Sequence, residues 1–374
     1  MLLFADPVTG YTTFSDLTNQ GWLLDEAITV AIEDGQGRNG LQALHVTDCT
    51  GGSFYRSLNS SVQPYYFATV HFSVKIDSHM DSSKIMRLEQ GDGNTPMVFL
   101  GILGTNQLRV YDRNGSTCLT TSALSLDTWH CVALQVETAA EFGTVNLWVD
   151  AVSPLTPPTY TASNCDFRGD ESPGPTNGVR FYLEQLLASP PAYHLSELFV
   201  YNDDPSHGPA LATYLGDKRQ YLCTANGAGD PLSPPAYQPA FTASPVVANY
   251  LNVDDPQNAV SDEDTTYVTT TLTGSGAMDL YEYTDLPAGV TGILAVVPQI
   301  ELRLDTPAQL TNVFAVLAKS PTQDSRTNTT LSWIQMYDYY MVFQYVFPLD
   351  PEGLAWTEAV VNVTQGGPLL ESPY

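Results

Sequence analysis

Apolar and polar residues alternate along most of the first two hundred positions. In "YFATVHFSVKI", Tyr66, Ala68, Val70, Phe72, Val74 and Ile76 share one parity, and Thr69, His71, Ser73 and Lys75 the other. A period of two over that length predicts a strand with one buried and one solvated face. Similar runs predict strands at 54–58, 84–90, 97–104, 107–112, 130–137, 144–150, 179–186 and 195–201. Gly, Asn, Asp and Pro clusters separate them, and a helical period is almost absent. Strands at this spacing imply two packed antiparallel sheets.

The pattern changes twice. Residues 153–178, "SPLTPPTYTASNCDFRGDESPGPTNG", read as a long Pro/Gly/Asp loop. Loops of this kind are tolerated insertions or functional elements. This one draws attention because it carries Tyr160, Asp166, Arg168 and Asp170 together. After "LFVYNDDP" the segment 216–246 loses periodicity and gains prolines, as a surface linker does. Strand patterns resume at "VVANYLNV", "TYVTTTLT", "MDLYEYTDL", "ILAVVPQIELRLD", "NVFAVLAKS" and "YYMVFQYVFPLD", with one short helix expected in "LAWTEAVVNV". The division expected is a first β-unit over 1–205, a Pro-rich linker over 206–240 and a second all-β domain over 241–374. In "YYMVFQYVF" (339–347) both parities are apolar, which fits either full burial within one chain or a protomer interface.

"WHCVALQV" followed by "VNLWVDAV" sets Val132, Leu134 and Val136 on one face and Val145, Leu147 and Val149 on another, as a hairpin burying both in one layer would. These runs resemble the W-H-x-V-A hairpin of laminin-G-like, concanavalin A-like jelly rolls, in which the Trp packs over the sandwich edge. "LLFADPVTGY", "GWLL", "GRNGLQALHV" and "GGSFYRSL" look like that fold's opening strands, so the resemblance covers 1–205. Ala151 stands where the family usually has Gly after the Asp. The resemblance implies a fold class of jelly-roll sandwich followed by a second β-sandwich domain. The order of that unit, "LFVYNDDP", "YLGDKRQYL", "DEDTTYVTT" and "FPLDPEGLAWTEAVVN" is similar to a family of tailed-bacteriophage and prophage virion structural proteins. That likeness implies a head- or tail-attached component, assembled in the host cytoplasm and located on the virion.

Composition supports a folded chain: 374 residues, 43% hydrophobic and 11% aromatic. Forty-one acids against fourteen bases leave a net charge of −27. Phosphate backbones need a basic footprint, so no nucleic-acid partner is expected. The charge favours solubility and would orient the chain toward basic partner surfaces. "MLLFADPVTG" has no basic n-region and its apolar stretch stops at Asp6, so no signal peptide is expected. No segment approaches the roughly 18 apolar residues of a membrane span, so no membrane partner is expected either.

Candidate chemistry narrows the reading. Sandwich glycosidases carry paired acids on one strand; the nearest run here, Glu301 and Asp305, has the wrong spacing. "SDEDTTY" (261–267) reads as a solvated turn. There is no GxSxG, GxxxxGK[ST] or HExxH. His130 beside Trp129 reads as structural, and His45 and His71 lie on strand patterns with no second ligand nearby in the chain. Cys49, Cys118, Cys131, Cys165 and Cys223 lack metal-like spacing, and Cys131 sits in an apolar strand as a buried thiol. Acidic loops such as 202–205, 168–171 and 253–256 lack the ordered ligand spacing of a calcium loop. Sequons at Asn59, Asn114, Asn328 and Asn362 are of the frequency chance gives.

The expectation is therefore a chain that is not an enzyme, with no catalytic, cofactor or metal residues and no cofactor. It would be a structural virion component contacting other virion proteins and copies of itself. The alternative is an adhesin binding host-surface glycan through the jelly roll. Tyr residues near prolines, in "QPYYF", "PPAYH" and "PPAYQPAF", could serve such a site or simply cover core edges.

Overall fold

The computed structural model describes residues 2–6, 22–24, 29–38, 40, 42–48, 53–57, 67–77, 83–90, 95–137, 143–167, 176–185, 192–202 and 214–217 of a first unit. It describes 221, 223–229, 242–244, 248–249, 253, 267–269, 277–302, 312–319, 341–344 and 347–371 of a second. The units divide as Met1–Gln220 and Tyr221–Tyr374. The chain is all-β: a jelly-roll sandwich and a second unit of antiparallel sheets.

The first unit opens with β1 (Leu2–Asp6), β2 (Trp22–Leu24), β3 (Thr29–Glu33), β4 (Ala43–Asp48) and β5 (Ser53–Ser57). β6 (Phe67–Ile76), β7 (Ser83–Gln90), β8 (Thr95–Ile102), β9 (Gln107–Asp112) and β10 (Thr117–Ala123) follow. β11 (Trp129–Glu137), β12 (Gly143–Val149), β13 (Tyr160–Cys165), β14 (Thr176–Gln185) and β15 (Tyr193–Asn202) complete it. One sheet runs β13-β12-β11-β6-β15-β4-β3, with β1 on β15; the facing sheet runs β10-β9-β8-β7-β14-β5-β2.

The core between them grows from the alternation. Leu134 pairs with Leu147 on one side and Val70 on the other, and Val132 lies between Val149 and Phe72. Leu134, Leu147, Val70, Val132 and Phe72 are fully buried, as are Val74 and Val145. Burying each such side chain is worth about 1.5–3 kcal/mol.

The second face of β6 departs from expectation. Thr69, His71 and Ser73 are buried as completely as the core residues, not solvated. The Arg38 side chain and the segment Tyr214–Asp217 lie over this face, and β11 and β15 are buried on both sides as well. Residues 153–178 also differ from a plain loop. β13 lies within them, paired to β12, and β14 starts at Thr176.

The second unit holds β16 (Ala225–Ala228), β17 (Thr242–Ser244), β18 (Tyr267–Thr269), β19 (Ala277–Met278) and β20 (Tyr281–Tyr283). β21 (Gln299–Leu302), β22 (Asn312–Lys319), β23 (Met341–Gln344), α1 (Glu358–Val361) and β24 (Thr364–Glu371) follow. Its main sheet runs β16-β20-β24-β19, with β22 on β24. β16 thus lies within the span expected to be linker. Gly367 is required where β24 crosses Asp279, because a Cβ there would stand 1.9 Å from the Asp279 carbonyl oxygen. α1 is the expected short helix, its N-cap Thr357 accepting from the Val360 amide. Trp356 donates to the Phe347 carbonyl at 2.8 Å and packs with Ile300 and Leu317. Side chains of 339–346 lie outside the described residues.

Candidate functional site

The Trp-His pair of the β11 start has two different tasks. His130 turns inward, with Nδ1 2.7 Å from Asp150 Oδ2, while Asp150 Oδ1 accepts from the Cys131 amide at 2.9 Å. Asp150 sits at φ +53 and its own amide donates to the Cys131 carbonyl, so the acid closes the far end of β12 onto the start of β11. The hydrogen bond to Asp150 holds the imidazole above its usual pKa against the opposing effect of burial. His130 and Asp150 together thus tie the start of β11 to the end of β12.

Trp129 turns outward and begins a row. The registers place Trp129 opposite Lys75, Lys75 opposite His194, His194 opposite His45, and His45 opposite Ala31. This crosses β11, β6, β15, β4 and β3 on the face turned away from the core, since Val74, Leu195 and Leu44 point inward. The Lys75 ammonium lies 5.9 Å from the Trp129 ring centroid. The indole stands edge-on to His194 at 6.4 Å.

Two acids bracket the row. Glu33 accepts from or meets His45 Nδ1 at 2.6 Å and His194 Nε2 at 2.9 Å. Asp77, one residue beyond β6, meets His194 Nδ1 at 3.0 Å, and its other oxygen faces His45 Nε2 at 3.3 Å without a hydrogen bond. Burial would raise the Glu33 pKa; the bonds from His194 and His45 outweigh it and hold the carboxyl below its usual value. His45, Glu33 and Asp77 keep 21%, 34% and 22% of their side-chain surface in solvent, while His194, stacked on His45, keeps 6%.

Ligand atoms of Glu33, His45 and His194 lie within 4.8 Å of one another, close enough for a metal. The rings, however, stack at 4.1 Å and within 6° of parallel. Their lone pairs run side by side rather than converging, whereas zinc needs nitrogens aimed at one point about 2.0–2.1 Å away. The geometry fits hydrogen bonding.

Further along the same face lies a buried polar network. Arg38 grips both Asp217 oxygens, at 2.5 and 2.6 Å, and reaches Glu197 at 3.4 Å; Ser73 donates to Glu197 at 2.8 Å. Glu197 takes φ +54 at the irregularity in β15, which brings its carboxylate to this face. Burial opposes the Arg38 charge, and Asp217 outweighs it, raising the guanidinium pKa further. Trp148 stacks on Tyr214 at 4.8 Å and donates to the Thr156 carbonyl at 3.0 Å.

The residues singled out in the 153–178 segment divide. Tyr160 packs against the core and its hydroxyl accepts from the Ser122 amide; Asp166 accepts from Arg113 and Asn114. Arg168 and Asp170 lie outside the described residues, as do Asp305 and most of 261–267. Glu301 is on β21, opposite Val342. Tyr193 of "PPAYH" is fully buried in the core. His194 and Glu33 escaped sequence reading because they lie 161 residues apart. Their one available signal was parity: both fall on the strand face opposite the core residues.

No family model matches the chain, and no curated protein matches it. Among solved structures, it is similar to the binding domain of Paraclostridial Mosquitocidal Protein 1, at 17% identity and a TM-score of 0.38 over 56% of this chain and 49% of that one. It is similar to the catalytic domain of a glycoside hydrolase family 131 protein from Coprinopsis cinerea, at 15% identity and 0.39 over 58% and 98%. Trypanosoma rangeli sialidase matches at 18% and 0.31, over 43% and 27%. The chain thus spans about half of the first and about a quarter of the last. Likeness at this level transfers neither a site nor an activity. It does correct the expectation that the chain is not an enzyme, because the structures matched include a glycoside hydrolase catalytic domain and a sialidase.

Proposed function

We propose that the first unit is a carbohydrate-binding module and that the Trp129 row is its contact surface. The carrying observation is the row itself: one indole, one ammonium and two stacked imidazoles across adjacent strands, bracketed by Glu33 and Asp77. Sugars present an apolar C–H face and a rim of hydroxyls. An aromatic ring beside carboxylates and imidazoles answers both, the ring by stacking and the polar groups by accepting and donating hydrogen bonds. The net charge of −27 repels acidic sugars, so the ligand class is a neutral glycan.

The setting we propose is a tailed-phage particle. The module would be carried there as a head- or tail-attached component, with other virion proteins and further copies of the chain as partners. The sequence resemblance supports that setting. Screening the full-length protein on a glycan array, followed by calorimetry, tests the binding reading. Trp129→Ala should weaken the best neutral ligand tenfold or more while leaving thermal unfolding close to wild type. No glycan binding, or equal binding by the variant, would overturn it. Mass spectrometry of purified particles tests the setting, and absence of the chain would remove it.

A further inference from the structure

The turn that joins β10 to β11 carries an exposed serine beside a buried histidine. Ser125 is exposed, while its neighbours Leu124 and Leu126 pack on the core of the first unit. The Leu124 amide donates to the Asn106 carbonyl at 2.9 Å, and the Asp127 amide donates to the Ile76 carbonyl at 2.9 Å. Thr128 Oγ1 donates to the Leu126 carbonyl at 3.0 Å. The backbone that carries Ser125 is therefore pinned on both sides.

Three groups line up from that turn. Ser125 Oγ lies 3.1 Å from His130 Nε2, and His130 Nδ1 lies 2.7 Å from Asp150 Oδ2. His130 is 6% exposed, so little water competes for the ring, and Asp150 is fixed through its other oxygen by the Cys131 amide. With Asp150 accepting from Nδ1–H, a neutral imidazole presents its lone pair on Nε2, toward the Ser125 hydroxyl. Hydroxyl, imidazole and carboxylate within successive hydrogen-bond reach let a serine lose its proton as it attacks a carbonyl. Tying β11 to β12 uses Nδ1 alone, and that structural task leaves Nε2 and its serine unexplained.

We propose that Ser125 is a nucleophile, with His130 as its base and Asp150 as a positioning residue, and that it takes acyl groups from uncharged carboxylic esters. Ser125 Oγ attacks the ester carbonyl carbon while its proton passes to His130 Nε2. The bond from that carbon to the alcohol oxygen breaks, and the imidazolium gives the proton to the departing oxygen. The acyl group stays on Ser125 as an ester. Water then attacks the acyl carbon with the same ring as base, the carboxylic acid leaves and the serine is restored. Asp127 and Asp150 are exposed on a chain of net charge −27, which disfavours anionic esters. Ser125 stands in solvent, so water solvates the oxyanion that forms; both steps are slow and the acyl-protein lives long enough to be detected.

The bond to Asp150 first, and the Ser125 carbonyl 3.1 Å from Nε2 in addition, hold the imidazole above its ordinary pKa of 6.5 against burial. The ring is a base only when neutral. Reactivity should therefore rise with pH through a value above 6.5 and then level.

The probe is p-nitrophenyl acetate, added to the full-length protein at a series of pH values. Digestion and fragment mass spectrometry then locate the acetyl groups. Ser122, exposed three residues earlier, is the internal comparison. Ser125 should be acetylated about a hundredfold faster or more, the lower end of what a positioned base contributes. Ser125→Ala, a change to an exposed side chain, should remove that acetylation and leave thermal unfolding close to wild type. His130→Gln should bring Ser125 down to the Ser122 rate. Asp150→Asn should slow Ser125 and move the midpoint of its pH profile downward, which a merely structural Asp150 would not produce. If those two variants fold poorly, the wild-type ratio of Ser125 to Ser122 and its pH profile still decide the matter. Equal rates at the two serines would overturn the inference. So would a Ser125 rate that climbs with hydroxide and never levels.

Discussion

Arg38→Met should be among the most damaging single changes in the first unit. Arg38 neutralises Asp217 through two hydrogen bonds and reaches Glu197, with side chains 14%, 12% and 1% exposed. Met retains much of the aliphatic stem and its packing, so the change mainly removes charge. Two carboxylates then remain close together beneath the Tyr214–Asp217 segment without their cation. Removing one partner of a buried pair costs about 3–5 kcal/mol, chiefly because charge is stranded away from water. Urea unfolding followed by tryptophan fluorescence should register the loss, since Trp148 stacks on Tyr214 in the same covering layer.

The pH dependence separates charge from packing. In the variant, mutual repulsion and burial raise the carboxyl pKa values in the folded state above the unfolded value of about 4. The folded state then binds protons more readily than the unfolded one, so the penalty is full at neutral pH and shrinks as pH falls through those raised values. The difference between wild type and variant should therefore narrow between about pH 7 and pH 4. Adding Asp217→Asn to the variant should recover part of the loss at neutral pH. A cost below about 1 kcal/mol, or one that is flat with pH, would refute a buried charge network on this face.

Two further outcomes are expected. Leu134→Ala should cost about 2–5 kcal/mol by urea denaturation, because Leu134 is fully buried between Leu147 and Val70; a loss under roughly 0.5 kcal/mol would place it at a surface. Asp150→Asn should destabilise most in a window bounded by the ordinary values of its two groups. The raised His130 pKa gives stability that is present below 6.5 and lost as pH rises through the folded value. The Asp150 pKa is lowered because the His130 and Cys131 bonds outweigh burial, giving stability present above 3.8 and lost as pH falls. A wild-type minus variant difference that does not decline above pH 6.5 would contradict the clamp.

What the sequence by itself determined is local. Strand parity depends on residues two apart, so Val70, Phe72, Leu134 and Leu147 announced the inner face from their own neighbours. The hairpin from Trp129 to Val149 was equally legible, because both of its strands and the closing Asp150 lie within a short stretch of chain. Only the tertiary structure decided what lies over the other face. Thr69, His71 and Ser73 read as solvated, and they are buried because Arg38 and residues 214–217, distant in sequence, cover them. The Trp129 row and the Arg113–Asp166 pair at the sandwich edge arise in the same way. Sheet order brings β4 beside β15, and the closing of the sandwich brings β10 against β13. A residue's cross-strand partner is set by register between segments more than a hundred positions apart, as for His45 and His194. No short-range pattern carries that information, because the energy that selects it belongs to the packed core of the whole unit.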